Sequence, residues 1–93
     1  MPFALKNRTT SELFSCTLRN VYDLPYHGVK LWGDRESAEA EAEAFLKERG
    51  AEAPAEWEIV SLDENQAKLC NVRLNNNPNR RVYLTEEGSI AAR

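Results

Sequence analysis

The chain has little with which to build a metal centre or a covalent scaffold. Among its 93 residues are two cysteines and one histidine. Cys16 and Cys70 lie far apart and form no CxxC pair, whereas a structural zinc needs four ligands at short paired spacings. With His27 as the only imidazole, no metal and no cofactor are expected. Thiols so placed are expected to stay free and to pack as small hydrophobes in a reducing compartment. No apolar run nears the ~18 residues of a membrane span. The first residues, Met1 to Asn7, lack the charged-then-apolar layout of a secretory signal. A cytoplasmic protein is the expectation.

What is present is an ordinary globular composition, 42% hydrophobic and 29% charged, far from that of a disordered chain. A chain of this length supports one core, so residues 1–93 are expected to form a single domain. The net charge of −3 is unevenly spread: residues 34–64 hold eleven acids and three bases, and the rest four acids and nine bases.

One helix is expected over residues 34–49. Asp34 can cap it after Gly33, and Ala38, Ala42 and Phe45 recur at helical spacing. The Ala-Glu alternation of residues 38–44 has a period of two, but alanine and glutamate are poor strand formers. Gly50 stops the helix, and Pro54 marks a linker over 50–56. Strands are expected on both sides. Residues 3–7 and 12–20 form a hairpin that sets Leu5 opposite Phe14 and Phe3 opposite Cys16. Residues 23–28 form a loop and 29–32 a short strand. After the linker come strands over 57–62, 67–74 and 80–85, the last two joined by the Asn75-Asn76-Asn77-Pro78-Asn79 turn. In that register Val72 opposes Val82, Arg73 opposes Arg81, and Val60 neighbours Leu69. Residues 86–93 read as a flexible tail. The expected fold class is α+β, with a mostly antiparallel, curled β-sheet and one helix on one face, in the order β-β-β-α-β-β-β.

Three surfaces carry chemistry. The first is the sheet face away from the helix, where Val60, Leu62, Leu69 and Tyr83 would form an apolar patch, the mark of an interface with a protein partner or a second copy. Next is the Arg73, Arg80 and Arg81 cluster. Opposed arginines repel unless an anion lies between them, so a phosphate or a nucleic-acid backbone suits them, with Tyr83 to stack on a base. The third, the Asp23, Tyr26 and His27 loop with Trp32, gathers an acid, an imidazole and aromatics as a ligand pocket does. A Cys16–His27–Asp23 arrangement can be drawn, but Cys16 belongs to a strand that points it into the core, where a thiol is inert. These features favour a non-enzymatic binding or protein-interaction module. The alternatives are a weak nucleic-acid-binding domain, then a small ligand-binding protein or enzyme.

Overall fold

The computed structural model describes residues 2–51 and 54–92. Its organising element is strand β1 (Phe3–Asn7). Ala4 and Leu5 are adjacent and both fully buried. Neighbours in a strand point to opposite faces, so each belongs to a different apolar cluster.

Along one edge β1 pairs with β5 (Trp57–Ser61), from Phe3↔Ser61 to Asn7↔Trp57. Its other edge is shared. Lys6 pairs with Leu13 of the two-residue strand β2 (Glu12–Leu13), and the Phe14 N–H donates to the Leu5 carbonyl at 2.9 Å. Leu5 thus faces Phe14, as the hairpin register requires. The register stops there, because Phe3 exchanges two 2.9 Å backbone hydrogen bonds with Trp32 instead of pairing with Cys16. The chain after Phe14 leaves the sheet as a separate hairpin, β3 (Ser15–Arg19) and β4 (Pro25–Val29). On its far side β2 pairs with β6 (Val82–Leu84), which pairs with β7 (Ile90–Ala92). The sheet runs β5-β1-β2-β6-β7, with every pair antiparallel.

Helix α1 (Arg35–Glu48) begins where the Asp34 carboxylate accepts from the Ser37 N–H at 2.7 Å. It buries Ala38, Ala42 and Leu46, one stripe at four-residue spacing, against Leu5, Trp32, Trp57 and Ile59. Phe14 meets Phe45 and Trp57 edge-on at 5.9 and 5.2 Å.

Residues 64–74 form no strand. They are a second helix, α2 (Glu64–Leu74), so the expected order β-β-β-α-β-β-β is corrected to β-β-β-β-α-β-α-β-β. The cause is local. The Asp63 carboxylate accepts from the Gln66 N–H while the Gln66 side chain accepts from the Asp63 N–H, a reciprocal cap that starts a helix. Ala67, Cys70 and Leu74 then fall on one buried stripe. The Asn-rich stretch is the helix stop, with Asn75 at φ 51° and ψ 38° in the left-handed conformation that asparagine tolerates. The Val72–Val82 and Arg73–Arg81 pairings therefore do not exist, and Val72 is 63% exposed.

α2 covers the second sheet face, packing on Ala4, Leu13, Leu62, Val82 and Ile90. The result is a small α+β fold with two helices and antiparallel sheets, one helix on each side of the larger sheet. The stretch expected as a tail supplies β7, with Ile90 buried. In the expected linker, residues 54–56 form a 3-10 turn, and 52 and 53 lie outside the described residues.

The two assignments of residues 67–74 differ in their mutational signature. Leu74→Ala is expected to lower stability by about 2–5 kcal/mol, the range for truncating a buried leucine. Val72→Ser should stay within about 0.5 kcal/mol of the parent in urea denaturation, as exposed positions do. A core-sized loss from Val72→Ser would refute the helix.

Candidate functional site

A two-stranded hairpin is marginal alone in water, and the β3–β4 hairpin is held from both helical layers. At the end of α1, Arg49 Nη1 donates to the Thr17 carbonyl at 2.8 Å. From α2 and its cap, Asn71 Oδ1 accepts from the Val29 N–H at 3.4 Å and Asn76 Oδ1 from the His27 N–H at 2.7 Å. The approach is close at Gly28, where an added Cβ would lie 2.8 Å from the Tyr26 ring and 2.9 Å from Asn71 Oδ1. A side chain at 28 would have to displace the Tyr26 ring and the Asn71 amide.

The hairpin tip is ordered by its own hydrogen bonds. The Asn20 side chain accepts from the Tyr22 and Leu24 N–H groups at 2.9 and 3.1 Å. Arg19 Nη1 donates to the Asp23 carbonyl at 2.9 Å and lies 3.5 Å from its carboxylate. Asp23 takes φ 60°, in the left-handed region that aspartate tolerates. These bonds hold Val21, Tyr22 and Leu24 outward, at 92%, 80% and 58% exposure.

Of the candidates Asp23, Tyr26, His27 and Trp32, only Tyr26 and His27 line one recess. Asp23 is at the tip beside Arg19. Thr17 pairs with His27 and Leu18 with Tyr26, so His27 and Tyr26 project from opposite hairpin faces. Trp32 is buried under α1, edge-on to Phe45 at 5.7 Å. His27 lines a small recess with Thr17, Pro25, Tyr26, Asn76 and Pro78, and its Nε2 is buried without a hydrogen bond. Burial lowers its pKa below the ordinary 6.5. Cys16 pairs with Gly28 and so faces away from His27. Burial raises the Cys16 pKa, more than the nearby Arg49 and Lys30 lower it, and burial pushes Cys70 up to about 11. Both thiols are protonated at neutral pH, so no nucleophile and base are assembled.

Arg73 and Arg80 do come together, since Arg80 Nη1 donates to the Arg73 carbonyl at 2.9 Å. Arg81 turns away to Glu12, at 3.2 Å. The apolar candidates are covered by α2. Leu62 is fully buried, and Val60 and Leu69 are half-buried against the same cluster. Tyr83 is half-buried on β6, in register with Glu12 and Ala91. Of the exposed apolar residues of the tip, Leu24 fell in the expected loop over 23–28, and Val21 and Tyr22 fell in no expected element.

Among the described residues, no cluster of His, Cys, Asp and Glu could hold a metal ion, and no helix is long and apolar enough to cross a membrane. No protein family, curated protein or solved structure matches this chain.

Two measurements follow from the hairpin. Because His27 has a lowered pKa when folded, its contribution to stability is complete above 6.5 and is lost as pH falls toward the folded value. As the chain's only histidine, it should account for the stability lost between about pH 7 and 5.5, and His27→Gln should flatten that slope in thermal melts. Native protein should expose one thiol, Cys16, to a disulfide reagent, and denaturant should release Cys70 as a second. Equal rates for both in the native state would contradict the burial of α2's inner stripe.

Proposed function

We propose that this chain is a non-enzymatic interaction module that docks on a partner protein through the tip of the β3–β4 hairpin. The observation that carries this reading is the outward setting of Val21, Tyr22 and Leu24, three large apolar side chains within four residues. Single exposed apolar residues are ordinary, but a contiguous group is a mark of an interaction surface. Tyrosine is among the residues that most often dominate binding energy. The tip is also preorganised: the Asn20 and Arg19 hydrogen bonds fix its backbone, which reduces the entropy lost on docking. A projecting tip of this shape suits a recess with an apolar floor.

The site moves from the sheet face to the hairpin, while the functional class stays the same. The nucleic-acid reading has less support, because Arg81 is neutralised by Glu12. The enzymatic reading has least, since Cys16 and His27 face apart.

The test is a photo-reactive phenylalanine analogue in place of Tyr22, activated in the cells of origin. A discrete adduct that disappears with Val21→Ser and Leu24→Ser is the expected result. Those exposed substitutions should leave stability within about 0.5 kcal/mol, so loss of the adduct reports on docking. An adduct of twice the chain's mass would make a second copy the partner. No adduct, or one indifferent to both substitutions, would end this reading.

A further inference from the structure

The larger sheet ends in β5 on one side and the shorter β7 on the other. An edge strand offers its free N–H and C=O groups to any other strand, and proteins normally block it. The small sheet is blocked in this way. Asn71 and Asn76 accept from β4, which opens with Pro25, and Arg49 donates to the Thr17 carbonyl of β3. β5 is not blocked. Residues 57–61 include no proline and no lysine. Among the described residues, no side chain or loop hydrogen-bonds the backbone along its outer edge.

The register shows which groups face outward. The Arg8 N–H donates to the Glu56 carbonyl and the Leu62 N–H to the Pro2 carbonyl, so the even-numbered residues of β5 bond to β1. On the far edge of β1, Phe3 and Leu5 bond to Trp32 and Phe14, as this alternation requires. Trp57, Ile59 and Ser61 therefore point their N–H and C=O groups away from the sheet.

That set is symmetric about Ile59. Two copies of β5 laid antiparallel place Ile59 against Ile59 and Trp57 against Ser61, for about six hydrogen bonds, two per facing pair. A slip of two residues loses one facing pair, and in one direction it sets Glu58 against Glu58. In the symmetric register Glu58 faces Val60 instead, and its charge is already met by Lys6 at 4.0 Å and Arg8 at 3.7 Å. The helix carries a matching pattern. Arg35, Glu39 and Glu43 line the cleft between α1 and β5. Arg35 stacks on Phe3, the partner of Ser61, while Leu46 lines the cleft with Trp57, so α1 runs from the Ser61 end of β5 to the Trp57 end. A two-fold axis at Ile59 brings the Arg35 end of each α1 toward the acidic half of the other. A second copy also arrives with β5 already extended, whereas a free peptide would lose conformational entropy on pairing.

We infer that two copies of this chain join edge to edge through β5, about a two-fold axis at Ile59, into one continuous antiparallel sheet. The joint shares no residue with the hairpin tip, so the two surfaces stand or fall separately.

The test is sedimentation of the full chain over a concentration series, with an isotope-filtered NOE spectrum of mixed labelled and unlabelled protein. A monomer–dimer equilibrium with a dissociation constant below about 1 mM is expected. An intermolecular NOE should join the Hα protons of Glu58 and Val60, which face each other in a non-hydrogen-bonded pair. Ser61→Pro removes an outward N–H that the sheet does not use, so the fold should stand while the dissociation constant rises at least about tenfold. Arg35→Glu, at an exposed position in the first turn of α1, should raise it about three- to tenfold and serves if Ser61→Pro does not fold. A monomer up to about 1 mM would overturn the inference, as would a dimer that neither variant weakens, intermolecular NOEs that avoid β5, or assemblies growing beyond the dimer. A dimer weakened by Ser61→Pro but indifferent to Arg35→Glu would overturn the contact between the helices alone. Association lost with Val21→Ser and Leu24→Ser but kept in both β5 variants would place the contact at the hairpin tip and overturn the joint.

Discussion

Ala4 and Leu5 are consecutive residues buried on opposite sides of one strand, and that arrangement demands apolar cover on both sides. A sheet with one wet face would leave one of them in water. α1 answers Leu5 and α2 answers Ala4, so the two helices, although distant in sequence, serve the same five-residue strand. β1 also divides one of its edges between Leu13 and Trp32. The chain between those residues has to leave the sheet and come back, and the projecting hairpin is the result.

The hairpin therefore arises from how β1 is paired, and its surroundings follow from where the helices end. The C-terminal ends of α1 and α2 both reach it, through Arg49 on one side and Asn71 and Asn76 on the other. Helix C-termini favour nearby cations. The uneven charge of the sequence thus has a spatial counterpart: the acids of α1 lie along its exposed length, while Arg19, Lys30 and Arg49 are spread along the hairpin.

Part of the first half was legible. Asp34 and the Ala38–Ala42 spacing specified α1, and the pairing of Leu5 with Phe14 was correct, but the strand expected over 12–20 breaks at Phe14, and the loop expected over 23–28 holds β4 in place of a strand over 29–32. The placing of Val60 and Leu62 on the face away from α1 was also correct. α2 was misread because its apolar residues at 67, 69, 70, 72 and 74 fit a period of two almost as well as one of 3.6. The deciding signal was polar: Asp63 and Gln66, three residues apart, form a capping box. The Asn-rich stretch could not arbitrate, since asparagine serves a hairpin turn and a helix stop by the same left-handed conformation. That error made Val60, Leu62 and Leu69 look like an open patch, when Leu69 belongs to α2 and packs with it over the other two. The groove beside the hairpin was illegible for a different reason: its lining comes from the hairpin, the end of α1 and α2, and no linear spacing announces that meeting.

β2 is only two residues long and lies in the middle of the larger sheet. The β1–β5 and β6–β7 pairs are joined across it by Lys6↔Leu13 on one side and by Glu12↔Tyr83 and Leu13↔Val82 on the other. Mechanically, this is a narrow waist between two wings. Bending or twisting of one wing against the other concentrates at Leu13, which is buried in one apolar cluster with Ala4 and Leu62 of the first wing, Val82 and Ile90 of the second, and Cys70 and Leu74 of α2.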